Sequence, residues 1–395
     1  MKKTLTAVAV LGTLAGSAVA ADVTLYGIVD TGLVYAHVDP DFAASYDSFY
    51  MDSGIQSGSR FGLKGVEEIG NGLKVGFVLE NGFYSDTGAD KGVFFDREAS
   101  LFVEGAFGKL GFGRMGSANS GLSSWSKVGV ISAFGTSFTD LSAQAGNSFS
   151  LAGAWDNMIS YETPKFAGLT FFAQYAMGQA AANHATGDDT AVENESTSDR
   201  YYIAGLTYAN GPATAYFAVD SVNYRSFGAK NPMANATIDD SLTVTLGGNW
   251  DFEVAKVFFG AQYFDEVRLS SIGGLTNVAV GKDVISGANT KGNSLKLEGY
   301  SVSLSSAVPM LGGAFLAGAS YIDADFADSL KNAGFADSSF KRYVVSAGYA
   351  YPFSKRTNIY AAATWMQDQL KNVPTYAPKV KPEAYAALVG LRHTF

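Results

Sequence analysis

The 395-residue chain has no cysteine. Neither a disulfide framework nor a thiolate metal site can therefore be part of its chemistry. It has only 3 histidines, at positions 37, 184 and 393. No two share a segment, so no nucleophile–base constellation of a hydrolase is legible. It also lacks an excess of positive charge: 28 basic against 37 acidic residues give a formal net charge of −9. That balance argues against nucleic acid as a partner, because phosphate binding needs a basic patch. Beyond residue 20 no apolar run approaches the roughly 20 residues of a membrane-spanning helix.

What is present begins with a short leader. Lys2 and Lys3 precede a mostly apolar run, Leu5 to Ala15, and Ala18-Val19-Ala20 is a small-x-small cleavage site. Residues 1–20 are expected to be a secretory signal peptide, and 21–395 a single domain. Glycine is abundant (45), and tyrosine (21) and phenylalanine (28) are frequent. This composition favours an all-β protein.

Sixteen segments alternate apolar and polar residues, near 22–37, 57–69, 72–84, 93–104, 109–115, 157–163, 168–177, 200–209, 212–223, 241–251, 255–267, 294–307, 313–325, 341–351, 356–367 and 384–395. From Ser241 to Trp250, Leu242, Val244, Leu246 and Trp250 share one parity, and Thr243, Thr245 and Asn249 the other. A period of two is a strand with one wet and one apolar face. Only 294–307 is irregular: Leu295 and Leu297 oppose the parity of Val302 and Leu304, as a bulge would produce.

The connections alternate strictly between tight turns rich in Gly, Pro and Asn and long polar loops. An even number of strands lets the first pair with the last, leaving no open edge in lipid. The expected fold is all-β: a transmembrane 16-stranded antiparallel up-and-down β-barrel. Tyr35, Phe83, Tyr175, Tyr208, Trp250, Tyr351, Trp365 and Phe395 stand near strand ends, where a membrane barrel has its aromatic girdles. A large soluble β-sandwich would also alternate, but long loops all on one side suit it less well.

Several segments resemble the general porins of Gram-negative outer membranes. They are Asp22 to Asp30, Ser59-Arg-Phe-Gly-Leu-Lys-Gly65 with Glu67 to Lys74, Arg97, Phe107-Gly108, Gly113-Arg114, Asp156-Asn157 through Gly168, and Gly390 to Phe395. The resemblance implies an outer-membrane homotrimer of sixteen-stranded barrels that passes small hydrophilic solutes by diffusion. It implies that the third loop, here 116–156, folds inward as a constriction (L3) and that its acids face wall arginines. It also implies that Phe395 is the signal read by the barrel-assembly machinery. Outer-membrane lipid and lipopolysaccharide are the expected surroundings.

The candidate wall residues are Arg60 and Lys64, on the parity opposite Phe61 and Leu63, with Arg97 and Arg114 at the family's arginine positions. Arginine suits a pore because its charge persists at any working pH. Glu80, on the polar parity of its segment, and Asp30 complete the pore-lining set. On the loop, Asp140 is the candidate opposing acid. The family's Pro-Glu-Phe-Gly-Gly stretch is replaced by Ser132-Ala-Phe-Gly-Thr136, and its arginine before Asp156-Asn157 by Ala154-Trp155. Bases outnumber that acid, so a weak anion preference is expected.

Two alternatives are a substrate-specific channel, with Tyr26 and Tyr360 stacking sugars, and an outer-membrane barrel enzyme. No cofactor is expected. The acidic groups Asp39, Asp41, Asp47 and Asp52, or Asp323, Asp325 and Asp328, are compatible with loop-bound Ca²⁺ or Mg²⁺. Gly111 to Gly116 satisfies G-x-G-x-x-G, but no helical periodicity follows it, so it is read as a chance match.

Overall fold

Alternating side chains give every segment two faces, and backbone groups in lipid must all pair with one another. In the computed structural model the strands meet both demands by closing into one antiparallel sheet. The structure describes residues 23–41, 43–136, 138, 152–178, 193–194, 198–224, 239–268, 296–328, 330, 335, 337–373 and 378–395.

The strands are β1 (Thr24–Asp39), β2 (Tyr46–Ser53), β3 (Arg60–Gly70), β4 (Leu73–Gly82), β5 (Glu98–Gly105) and β6 (Gly108–Gly116). Next come β7 (Ala154–Glu162), β8 (Leu169–Ala176), β9 (Arg200–Asn210), β10 (Ala213–Asn223), β11 (Leu242–Asp251) and β12 (Lys256–Arg268). The last are β13 (Lys296–Met310), β14 (Gly313–Phe326), β15 (Ser339–Pro352), β16 (Thr357–Lys371), β17 (Lys379–Val380) and β18 (Glu383–Thr394). Sixteen of these form the wall; β2 and β17 are short additions to it. β1 pairs with β3 on one side and with β18 on the other, which closes the barrel. Phe395 completes the seam through two backbone bonds to Gly27, each 3.1 Å.

Parity separates the two faces as expected. On β11, Leu242, Leu246 and Trp250 are exposed on the outer face, while Thr243, Thr245 and Asn249 are buried on the inner one. Trp250, Tyr351, Tyr35 and Phe395 are exposed near strand ends, where a girdle belongs. Short turns gather at one end of the barrel and long loops at the other. Gly111 to Gly116 is strand, within β6, and no α-helix occurs among the described residues.

Three expectations need correction. The segment 38–56 is not all loop, because β2 forms a hairpin on β1 within it. The mixed parity of 294–307 is not a bulge of that strand. Leu297 keeps the inward parity of Ser301 and Ser303, and the register shift lies across from it in β12, where Glu266 has φ 50°. Nor is the inner face polar throughout. At the loop end Phe264, Leu297, Ile322, Phe326, Phe340 and Leu370 face inward, packed with Leu330 and Phe335 of the β14–β15 connection. Beneath them Arg342 and Asp368 are fully buried, with Nε to Oδ1 at 2.7 Å and Nη2 to Oδ2 at 2.9 Å.

Candidate functional site: the inward loop and the arginine wall

The connection after β6 turns into the barrel. Trp125 lies on Gly111, where a Cβ would stand 2.3 Å from the ring. The Lys109 ammonium sits 4.1 Å from the Trp125 ring and 4.3 Å from the Phe102 ring. A cation held against two aromatic faces gains from both. Ala118 N donates to Gln174 Oε1 at 2.7 Å, and Asn119 Nδ2 to Asp220 Oδ1 at 3.2 Å. A single 3₁₀ turn, Val128–Ile131, follows. Asn249 Nδ2 donates to its Val130 carbonyl at 2.8 Å, and Ala133 N donates to Ser305 Oγ at 2.9 Å. Phe134 and Phe138 then pack with Tyr360. Gln174, Asp220, Asn249, Ser305 and Tyr360 all carry the buried inward parity of their strands. A segment that touches the inner faces of β8, β10, β11, β13 and β16 lies inside the barrel.

Across a gap from the start of this loop stands the charged wall. Arg97 Nε donates to Glu80 Oε1 at 2.6 Å. Arg60 Nε lies 3.6 Å from the other oxygen of the same carboxylate, which also accepts the Tyr26 hydroxyl at 2.9 Å. Glu98 pairs across from Glu80 in the β4–β5 register, yet turns to Ser100 Oγ at 2.6 Å and Ser124 N at 2.8 Å. Lys64 sits over the Tyr26 ring at 5.1 Å. Between wall and loop is a cavity of about 270 Å³ whose charged lining is Arg60, Lys64, Arg97, Glu80 and Glu98. The loop's own contribution is neutral: the Gly121 carbonyl, 3.3 Å from Arg97 Nη2, and the Ser123 and Ser124 side chains.

The structure thus brings Arg60, Lys64, Arg97 and Glu80 together. Arg114 stands apart from the cavity, with Nη1 on Asp156 at 2.5 Å and Nε on the Asp96 carbonyl at 2.9 Å. Asp30 faces inward but is fully buried, so it is no part of a pore surface. Tyr360 is buried as well, with its hydroxyl on Asp30, which removes it as a stacking platform for sugars. Asp140 lies outside the described residues. Lys127, the loop's base, pairs with Glu162 at 2.6 Å rather than with the wall. Sequence reasoning misses Glu98, although its parity with Ser100 and Phe102 marks it as inward. His37 contacts Asp47 at the loop end and His393 contacts Thr357 at the turn end, while His184 is outside the described residues. Of the acidic loop groups, Asp47 accepts from Tyr35, and Asp323 pairs with Lys341 at 2.6 Å.

A family model described as Gram-negative porin matches residues 6–369. The chain belongs to the Gram-negative porin family. An outer membrane porin protein of Bordetella pertussis is 34% identical, over the whole of both chains. Outer membrane porin protein 32 of Delftia acidovorans is 28% identical, also over the whole of both. Among solved structures, an anion-selective porin from Comamonas acidovorans superposes with TM-score 0.66, covering 95% of this chain and 100% of that one at 24% identity. At that identity the likeness shows the fold. The chain is therefore an outer-membrane porin, and its barrel is a channel. Porins are channels rather than enzymes.

Proposed function

We propose that the barrel is a diffusion channel for small hydrophilic solutes and ions, narrowed by the inward third loop and weakly selective for anions. The observation that carries this reading is the cavity between loop and wall. Its charged lining has three cations, Arg60, Lys64 and Arg97, and two carboxylates, Glu80 and Glu98. Glu80 is shared between Arg97 and Arg60, and Glu98 is turned to serine donors. Positive charge thus remains to attract an anion, in a site where low-dielectric walls strengthen the field. Asp140 stays a candidate for opposing it from the loop.

The same reading has the chain exported by cleavage after Ala20, delivered to the assembly machinery through Phe395, and working as a homotrimer amid lipopolysaccharide. It has no catalytic role and no resident cofactor; Ca²⁺ or Mg²⁺ at the loop acids would serve only to bridge the surface to lipid phosphates. Reversal potentials across a planar bilayer under a salt gradient test the selectivity. The wild-type value should lie on the anion side of zero. Arg97→Ala and Arg60→Ala should each move it toward cations, and an unmoved potential in both would sink the wall assignment.

A further inference from the structure

On one side of β1 the sheet is interrupted between β2 and β3. Thr31 pairs with Ser53 and Ile28 with Arg60, so Val29 and Asp30 of β1 face the six residues 54–59. Those six leave the sheet as a compact excursion. Its backbone bonds are repaired locally: Gly54 N donates to the Asp30 carbonyl at 2.8 Å, and Asp30 N donates to Ser59 Oγ at 3.1 Å. The Asp30 side chain pins the middle, accepting from Ser57 N at 2.6 Å and from the Tyr360 hydroxyl at 2.5 Å. Gln56 Oε1 accepts from Asn358 Nδ2 at 2.8 Å.

This excursion touches both halves of the candidate constriction. At one end the Ile55 carbonyl accepts from Phe138 N of the inward loop at 2.9 Å, and its side chain is buried against Phe134 and Phe138. At the other end the Gly58 carbonyl accepts from Arg60 Nη1 at 3.3 Å, and a Cβ on Gly58 would meet Arg97 Nη1 at 3.3 Å. We infer that residues 54–59 are a second constriction element, a spacer that fixes Phe134 and Phe138 of the third loop relative to Arg60 and Arg97 and so sets the size limit of the pore. The inference rests on the reading of the third loop as the constriction. A bulge inside a strand re-aims the backbone and is kept where it has a use. An excursion that costs the wall several ladder bonds and is then repaired by a buried carboxylate fits that rule.

The register supplies the test. Removing residues 55–58 leaves Gly54 and Ser59 opposite Asp30 and Val29, which restores a regular antiparallel ladder. Liposome swelling with sugars of increasing size reads the size limit, and heat-modifiable migration shows that the barrel has formed. The deletion should admit a trisaccharide about twofold faster or more relative to a pentose, while the arginine-dependent reversal potential keeps its sign. Ile55→Gly, which keeps residues 54–59 at full length and removes the side chain packed against Phe134 and Phe138, should shift the limit the same way and serves if the deletion does not fold. Trp125→Ala frees the loop near its β6 root and separates the two readings. If Trp125→Ala widens the pore and neither excursion variant does, the spacer inference falls alone. If none of the three changes the limit, the reading of the loop as a constriction falls with it.

Discussion

Tyr360 of β16 donates its hydroxyl hydrogen to the Asp30 carboxylate of β1 at 2.5 Å, passing over the strand that lies between them. It can do so because β18 carries Gly390 at that point, where a Cβ would stand 2.2 Å from the Tyr360 hydroxyl oxygen. A phenol, a carboxylate and a missing side chain on three neighbouring strands therefore hold the barrel seam from within. Tyr360→Phe leaves a fully buried carboxylate short of a donor, and a hydrogen bond to a charged group is worth about 1.5–3 kcal/mol. Urea unfolding of the barrel in lipid vesicles should show a loss of that size. Gly390→Ala should reproduce it with Tyr360 intact, and an unchanged midpoint in both would remove the bond from the account.

Arg97 and Arg60 share the Glu80 carboxylate, so Glu80→Gln should release positive field into the cavity. The reversal potential under a salt gradient should move further toward anions, opposite in sign to Arg97→Ala. A shift toward cations would mean that Glu80 acts by positioning the arginines rather than by its charge.

Screening gives a test that needs no mutation. The Debye length falls from about 10 Å at 0.1 M salt to about 3 Å at 1 M. Selectivity carried by the few charges of a narrow passage should therefore decline as ionic strength rises, with conductance still increasing with salt. A selectivity independent of ionic strength would point to size alone.

Arg342 and Asp368 have no exposure at all and meet in a two-pronged pair. Such a pair is weak evidence of stabilisation, since desolvation offsets attraction, but removing one partner from a buried pair is costly. Asp368→Asn should cost about 3–5 kcal/mol, whereas Asp323→Asn, at the half-exposed pair with Lys341, should cost no more than about 1 kcal/mol. Equal losses in urea unfolding would contradict the difference in burial.

The barrel was legible because its signal is periodic. Ser241 to Trp250 shows it in ten residues, and the order of short and long connections supplies closure. The inner surface was less so. Phe264, Ile322 and Phe340 are apolar on the inward face, and alternation cannot tell an apolar residue facing lipid from one under a loop. Arg60, Lys64 and Arg97 could be placed by parity and resemblance. Glu80, the carboxylate that Arg60 and Arg97 share, could be placed by parity as well. Glu98 was missed: it sits where 93–104 reads as one strand, although β5 starts only at Glu98 and the loop before it turns the chain. The excursion at 54–59 has no periodic signature, because it is a break in a strand.

The inward loop is held at its root by Trp125 on Gly111 and by Lys109 against the same ring. A methyl at position 111 would stand 2.3 Å from the indole, too close for any contact, so Gly111→Ala must push Trp125 off the wall and away from Lys109. A loosened root should appear in single-channel records as larger open-state noise and closure at lower voltage. Trp125→Ala should give a similar phenotype by removing the ring. The double variant then decides the mechanism. If Gly111→Ala acts only through the ring, it adds nothing once the ring is gone, and the two effects are strongly non-additive. Additive effects would mean that the methyl disturbs the β5–β6 wall itself and that the glycine is not there for the loop.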